Sequence, residues 1–261
     1  MKVFFIGAGP GDPELLTLKG RRILGEADIV IHAGSLVNPE ILRFARGDAE
    51  IHDSSGMNLD QVTAVYLRAR SLPGTVARLH TGDPSLYGAV QEQMEFCRRE
   101  GIPFETVPGV SSFSAAAAAL EQELTLPGLT QTVVLTRAAG RTPTPEKEDL
   151  ALLARSRPTM VLFLSMEQIQ EAAEKLLTSY PPDTPAAVVY RASWPDQKII
   201  RGTLGEIARL ARREGIRRQA LVVVGKALGA RENPEIYQKS KLYDPGFSHG
   251  RRDAAAGEGE P

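Results

Sequence analysis

Short apolar runs alternate with longer amphipathic ones along most of this 261-residue chain. Residues 2–7, 29–32, 75–80 and 103–107 are apolar stretches of strand length, while residues 14–26, 59–71 and 86–100 carry apolar positions at helical spacing. In the last of these helices Leu86, Val90, Met94 and Cys97 share the expected core face, and Glu92, Glu95, Arg98 and Arg99 point away from it. Such alternation predicts a mostly parallel sheet with helices on its faces. After an alanine-rich helix around residues 114–120 the pattern restarts, with strands at 132–136, 159–164, 186–190 and 220–225 and helices at 148–155, 167–179 and 204–214. Residues 199–203, following Trp-Pro-Asp-Gln at 194–197, predict a hairpin and some antiparallel pairing. The expected fold class is α/β, with two α/β domains at residues 1–121 and 122–228 and a joint near 121–131. Periodicity ends at Arg231 and the low-complexity run AAAGEGEP closes the chain, so residues 229–261 are expected to form a disordered tail.

Composition narrows the function classes. Hydrophobic residues at 42% and charged residues at 24% suit a globular protein that buries a core. A net charge of -1 disfavours a general electrostatic grip on nucleic acid. With Cys97 as the single cysteine, an intrachain disulfide and a thiolate metal cluster are excluded, and His32, His52, His80 and His249 show no i, i+4 pair, so no protein-bound metal is expected. No cationic, apolar leader opens the sequence and every apolar run is shorter than a membrane span, which leads us to expect a cytoplasmic protein without membrane contact.

The first strand runs into GAGPGDP at residues 7–13 and then into a helix, an arrangement shared with dinucleotide-binding loops. That fingerprint needs glycines at GxGxxG spacing; Gly7 and Gly9 fit, but Asp12 stands at the third position, where its carboxylate would oppose a pyrophosphate. Pro10 and Pro13 also remove two backbone N–H donors. The loop suits a ligand without phosphate. A second Gly-Asp-Pro follows another strand, in TGDPSLYG at 81–88, where Gly82 permits close backbone approach and Asp83 offers a carboxylate. One isolated copy reads first as a turn with an Asp cap; two copies, each after a strand and beside further glycine, weaken that reading without removing it and leave a ligand site at the carboxyl ends of the strands as the alternative. A third element, PGVSS at 108–112, breaks a strand and starts the small-residue helix, with Ser111 or Ser112 as its cap.

Together these three elements resemble the tetrapyrrole methylase family, whose members share GxGPGDPxLLTxKG, (G/T)GDPxxYG and PGxSS or PGxTS, here at residues 7–20, 81–88 and 108–112. The stretches at 124–146 and 188–204 resemble the precorrin-4 and cobalt-precorrin-4 C-11 methyltransferases of cobalamin biosynthesis, and the likeness runs over residues 2–228. The resemblance implies the two-domain class III methyltransferase fold, a homodimer, S-adenosylmethionine as co-substrate in the cleft between domains, and a corrin precursor as methyl acceptor. Carried over position by position, it implies that Pro10, Thr81, Gly82, Asp83 and Leu86 line the cofactor, followed by Ser111 and Ser112. Leu164 within LFLS and Ala192 within YRAS would close over the adenosine, with Thr130 and Gln131 as further candidates.

Transfer of a methyl group from a sulfonium to a ring carbon is an in-line displacement in which positioning and electrostatics dominate. No covalent intermediate is needed, and Cys97 is expected to be a packing residue. For relief of charge by loss of a ring proton, Asp12 and His80 are the nearest candidate bases, although a histidine ending a strand also serves as a hydrogen-bonded structural group. A macrocycle bearing many carboxylates calls for local cations. Arg137, Arg141, Arg191, Lys198 and Arg201 are candidates, with solvation at the surface as the alternative for each. Other readings are a uroporphyrinogen-III C-methyltransferase, another precorrin methylase, a diphthine synthase, or a non-catalytic carrier of S-adenosylmethionine or tetrapyrrole. A nucleotide-dependent oxidoreductase conflicts with Asp12.

Overall fold

The computed structural model describes residues 1–71 and 74–252. The chain divides into two compact units, one of Met1–Leu120 with Val189–Ile199 and Gln219–Leu221, the other of Glu121–Val188, Ile200–Arg218 and the residues from Val222 onward.

The first unit is built on five parallel strands, β1 (Lys2–Gly7), β2 (Ile29–His32), β3 (Glu50–Asp53), β4 (Thr75–His80) and β5 (Phe104–Val107), in the order β3-β2-β4-β1-β5. Successive side chains alternate across this sheet. Ile6, Val30, Ala77 and Leu79 face Ile23 and Leu24 of α1 (Leu18–Glu26). Val3, Phe5, Ile29, Ile31 and Val76 face Val62, Val65, Tyr66 and Ala69 of α2 (Leu59–Arg70) and Cys97 of α3 (Gln91–Arg99). α4 (Ser112–Leu120) buries Ala115, Ala116 and Leu120. The helices that follow the neighbouring strands β1 and β4 therefore lie on opposite faces, which opens a crevice at the carboxyl ends of those strands.

Two helices start later than their apolar spacing suggests. Pro13–Leu15 forms a 3-10 turn capped by Asp12, and α1 begins only after Thr17, whose Oγ1 accepts from the Gly20 N–H at 3.1 Å. α3 begins at Gln91 instead of residue 86, because Tyr87 (φ 54°) and Ala89 (φ 45°) are left-handed, a conformation that interrupts a right-handed helix. Leu86 consequently lies outside the helix, half-buried, and Gln93 takes a buried position on it beside Cys97.

The second unit carries β6 (Val133–Arg137), β7 (Thr159–Phe163), β8 (Pro185–Tyr190), β9 (Lys198–Thr203) and β10 (Ala220–Val224), in the order β6-β7-β10-β8-β9. β6 and β7 are parallel, whereas β10 runs antiparallel to β7. After β6 come α5 (Leu150–Leu153), α6 (Ile169–Leu177) and α7 (Ile207–Arg213); α6 buries Ile169, Ala172, Ala173 and Leu176, and α7 buries Ile207, Ala208 and Ala211. Residues 229–238, which the periodicity assigns to the tail, pack on this unit: Ile236 and Tyr237 lie against Leu126, Ala227 and Ala230, and the Gln238 N–H donates to the Pro127 carbonyl at 2.8 Å. The low-complexity run at 254–261 lies outside the described residues. No helix among the described residues is long and apolar enough to cross a membrane.

Candidate active site

The three glycine-bearing loops meet in the first unit, at the ends of β1, β4 and β5. A side chain on Gly7 would place its Cβ 2.5 Å from Gly109 Cα and 2.7 Å from the Gly82 carbonyl oxygen, so backbone packs on backbone and nothing larger than hydrogen fits. Gly9 and Gly82 form an antiparallel bridge, with the Gly82 N–H donating to the Gly9 carbonyl at 2.7 Å and the Gly9 N–H to the Gly82 carbonyl at 3.2 Å. Gly82 has a φ of 64°, open to glycine at no steric cost.

Asp83 ties the junction together. One carboxylate oxygen accepts from the Gly109 N–H at 2.9 Å, and the other accepts from the Ser85 N–H at 2.8 Å and from the Ser85 hydroxyl. Burial works against its charge, but the hydrogen bonds from Ser85 and Gly109 outweigh that and hold its pKa below the ordinary carboxylate value. Gly82 lies against Ser111 and Ser112, so the structure brings these residues together with Asp83. Ser111 is buried, and its carbonyl accepts from the Ser114 and Ala115 N–H groups of α4; Thr81 is exposed and Leu86 half-buried.

Around the first glycine loop, the polar backbone groups are occupied by side chains. The Trp194 indole N–H donates to the Pro10 carbonyl at 2.9 Å, Asn38 Nδ2 to the Gly11 carbonyl at 2.8 Å, and the Asp12 N–H to Ser193 Oγ at 3.0 Å. The Asp12 carboxylate accepts from the Glu14 N–H at 2.8 Å and caps the 3-10 turn. A phosphate would find no nest of free N–H groups among Pro10, Gly11 and Asp12. Pro10 and Ala192 are both buried in this unit.

Strand β4 also carries a buried polar cluster that none of the three motifs marks. Arg78 of β4 is buried, makes no salt bridge among the described residues, and donates through Nε to Gln93 Oε1 at 3.2 Å and through Nη1 to Ser54 Oγ at 2.8 Å. Tyr66 donates its hydroxyl to the same Gln93 oxygen at 2.7 Å. Burial depresses the pKa of Arg78, with Tyr66 opposing. His80 is buried with its Nε2 unpartnered; burial, reinforced by Arg78, pushes its pKa down to about 3. His32, also buried with Nδ1 unpartnered, is lowered by burial, with Asp53 opposing and Arg78 adding to the shift. The available signal was an arginine at an inward position of the strand sequence TVARLH.

The remaining candidates are divided between the two units. In the second unit, Thr130 closes a turn with Leu126 and Gln131 is exposed. Leu164 is left-handed (φ 52°) and 70% exposed directly after β7, an exposed apolar side chain in a conformation that L residues rarely adopt. Arg137 donates to the carbonyls of Ala138, Thr142 and Pro143 and braces its own loop, while Arg141 extends into solvent with a long 4.0 Å pairing to Glu167. In the first unit Arg191 pairs with Asp196 at 2.5 Å. Among the described residues, no group of three or more His, Cys, Asp or Glu side chains is arranged to hold a metal ion.

Comparison with known proteins accords with this junction of glycine loops. The family model for Tetrapyrrole (Corrin/Porphyrin) Methylases matches residues 2–208. A cobalt-precorrin-4 C(11)-methyltransferase of Methanocaldococcus jannaschii is 50% identical over 249 residues, covering 95% of each chain. The structure of a cobalt precorrin-4 methyltransferase, a cobalamin biosynthetic enzyme, superposes with a TM-score of 0.85 at 46% identity over 87% of this chain and 95% of that one. A uroporphyrin-III C-methyl transferase from Thermus thermophilus, solved with S-adenyl homocysteine, reaches a TM-score of 0.73 at 33% identity over 87% of this chain and 99% of that one. A family match over most of the length, with its glycine motifs meeting at the ends of β1, β4 and β5, means that the chain belongs to the tetrapyrrole methylase family.

Proposed function

We propose that the chain is an S-adenosylmethionine-dependent C-methyltransferase of corrin biosynthesis, methylating C-11 of precorrin-4 or cobalt-precorrin-4. The observation that carries the reading is the near full-length likeness to a cobalt-precorrin-4 C(11)-methyltransferase. The first glycine loop supports it physically, since Pro10 has no N–H and the Asp12 N–H is taken by Ser193 Oγ, which suits a donor without phosphate. Of the solved relatives, the cobalt precorrin-4 methyltransferase is nearer in identity and superposition than the uroporphyrin-III enzyme, which favours C-11 methylation over the alternative acceptor.

In this reading S-adenosylmethionine supplies an activated methyl group on a cationic sulfur. Displacement forms the new carbon–carbon bond, breaks the carbon–sulfur bond with its electron pair returning to sulfur, and releases a ring proton. The chain's contribution is positioning. Pro10, Thr81, Gly82, Asp83, Leu86, Ser111, Ser112 and Ala192 form the floor for the donor, and Asp83 acts by holding Gly109 and Ser85 in place more than by meeting the sulfonium itself. Arg78, buried and without a salt bridge among the described residues, provides positive potential for a polycarboxylate acceptor. Any cobalt arrives within the acceptor, and the working species is a cytoplasmic homodimer; sedimentation velocity checks the dimer.

Incubation with labelled S-adenosylmethionine and the precorrin-4 or cobalt-precorrin-4 substrate, followed by NMR assignment of the product, tests the activity. Label at C-11 is the expected result. Label at another ring carbon would overturn the acceptor assignment, and binding without turnover would favour a carrier.

A further inference from the structure

Residues 191–197 form a loop whose shape is held by an unusual number of contacts for so short a segment. Arg191 and Ser193 have φ values of 46° and 70°, in the left-handed region that L residues rarely occupy, and such conformations persist where the surroundings over-determine them. Here the Arg191 N–H donates to the Gln219 carbonyl at 2.9 Å, the Trp194 N–H to the Arg191 carbonyl at 3.0 Å, and the Ser193 N–H to Gln197 Oε1 at 2.8 Å. The Arg191 guanidinium lies 3.9 Å over the centre of the Trp194 ring and pairs with Asp196. The product of this bracing is a fixed indole. Its N–H meets the Pro10 carbonyl, and its edge rests on Gly11, where any Cβ would run into Cδ1 and Nε1. One residue earlier, the Ser193 hydroxyl accepts the Asp12 N–H.

We propose that residues 191–197 are a latch that sets the position of the Pro10–Asp12 loop, with Trp194 as a positioning residue for S-adenosylmethionine. This rests on the reading of Pro10 as part of the donor floor. The latch acts through two loop groups, the Pro10 carbonyl and the Asp12 N–H, and through the close contact at Gly11. The family reading of YRAS assigns Ala192 to the ligand, whereas the geometry assigns the neighbouring Trp194 and Ser193 to the loop beneath it. Trp194 is also the only tryptophan of the chain, so its emission reports the latch without a label.

Calorimetric titration with S-adenosylhomocysteine and steady-state kinetics on the full chain test the proposal. Trp194→Phe keeps the ring and removes the N–H; it is expected to raise the Kd and the KM for the donor about tenfold, the worth of one hydrogen bond, while kcat at saturation falls less than about twofold. Ser193→Ala, a smaller change that guards against misfolding, is expected to move KM in the same direction. Gly11→Ala is expected to match the Trp194→Ala loss and to shift Trp194 emission to longer wavelength, yet to add no further loss when introduced into Trp194→Ala, where the indole is gone. A purely structural role would lower the active fraction, and so kcat, without this split. Wild-type protein that fails to bind the ligand would overturn the donor site and the latch with it. Wild-type binding with an unaltered KM in Trp194→Phe and Ser193→Ala, or equal Gly11→Ala losses in both backgrounds, would overturn the latch alone.

Discussion

His80 ends β4 with its ring 6.1 Å from that of Phe5 and its Nε2 buried without a hydrogen-bond partner. An imidazole whose pKa lies near 3 is neutral at physiological pH and a weak base, so its position at the strand end is better suited to packing than to proton transfer. The same shift has a consequence for stability. The unfolded chain binds a proton at His80 near pH 6.5 and the folded chain only near pH 3, so acidification favours the unfolded state throughout that window, and the loss is complete below it. Between pH 7 and pH 5 the contribution is about 2 kcal/mol of lost stability, with His32 adding in the same direction. Urea unfolding at the two pH values should show a smaller difference in His80→Gln than in the wild type; equal differences would show that His80 is solvated. Other residues illustrate what a motif leaves open. Asp12, Asp83 and Arg137 are visible in the sequence as chemistry-bearing side chains, and the turn-and-cap reading of Gly-Asp-Pro already fits Asp12, but the sequence does not reveal Asp83 as a tie to Gly109 or Arg137 as a brace for its loop.

The strands were the most legible elements, because β1, β2, β4, β7 and β10 are short apolar runs bounded by turn residues, and a buried strand needs little else. β3 escaped for the opposite reason: at the sheet edge, Glu50–Asp53 is mostly exposed and carries charge, so no apolar run announces it. α3 starts beyond the onset of its apolar spacing, since periodicity does not report the left-handed turn at Tyr87 and Ala89. The loops joining these elements were legible as glycine motifs, but their mutual contact was not, being a property of three strands that the chain visits far apart in sequence. That contact can be tested. Gly109→Ala would drive a methyl group against the Gly82 carbonyl and lie 2.7 Å from Gly7 Cα, backbone atoms that cannot swing aside as a side chain does. Destabilisation of about 3 kcal/mol or more is expected in chemical denaturation. Gly47→Ala and Gly56→Ala, where a Cβ would meet nothing within 4 Å, are the controls and should stay within about 1 kcal/mol of wild type. If all three variants melted alike, the tight crossing of loops would be wrong.

At the scale of the whole chain, the decisive question is how far along the described residues the packed structure extends. Periodicity ends near residue 231 because 3-10 turns at Pro234–Ile236 and Lys241–Tyr243 carry no helical repeat, and a proline- and charge-bearing segment resembles linker composition even where it packs. What the pattern cannot convey is that Ile236 and Tyr237 complete an apolar cluster with Leu126, Ala227, Leu129 and Ala230, or that Gln238 lies on Gly128, where a Cβ would come within 2.7 Å of its side chain. The turn at residues 126–130 and the segment at 236–238 therefore support each other: the first supplies a glycine surface and the accepting carbonyl of Pro127, the second supplies two apolar side chains and the donating N–H of Gln238. Residues 241–248, by contrast, are exposed throughout. Two truncations separate these regions. Ending the chain at residue 240 should leave the thermal midpoint within about 2 °C of the full-length protein, since exposed segments contribute little. Ending it at residue 228 removes the burial of Ile236 and Tyr237 together with the Gln238 hydrogen bond and should cost about 2–4 kcal/mol, read as a lower midpoint in circular dichroism. Because the lost support falls on residues 126–130, the shorter chain should also show faster proteolysis in that turn, and equal stability of the two truncations would mean that the cluster contributes nothing to the fold.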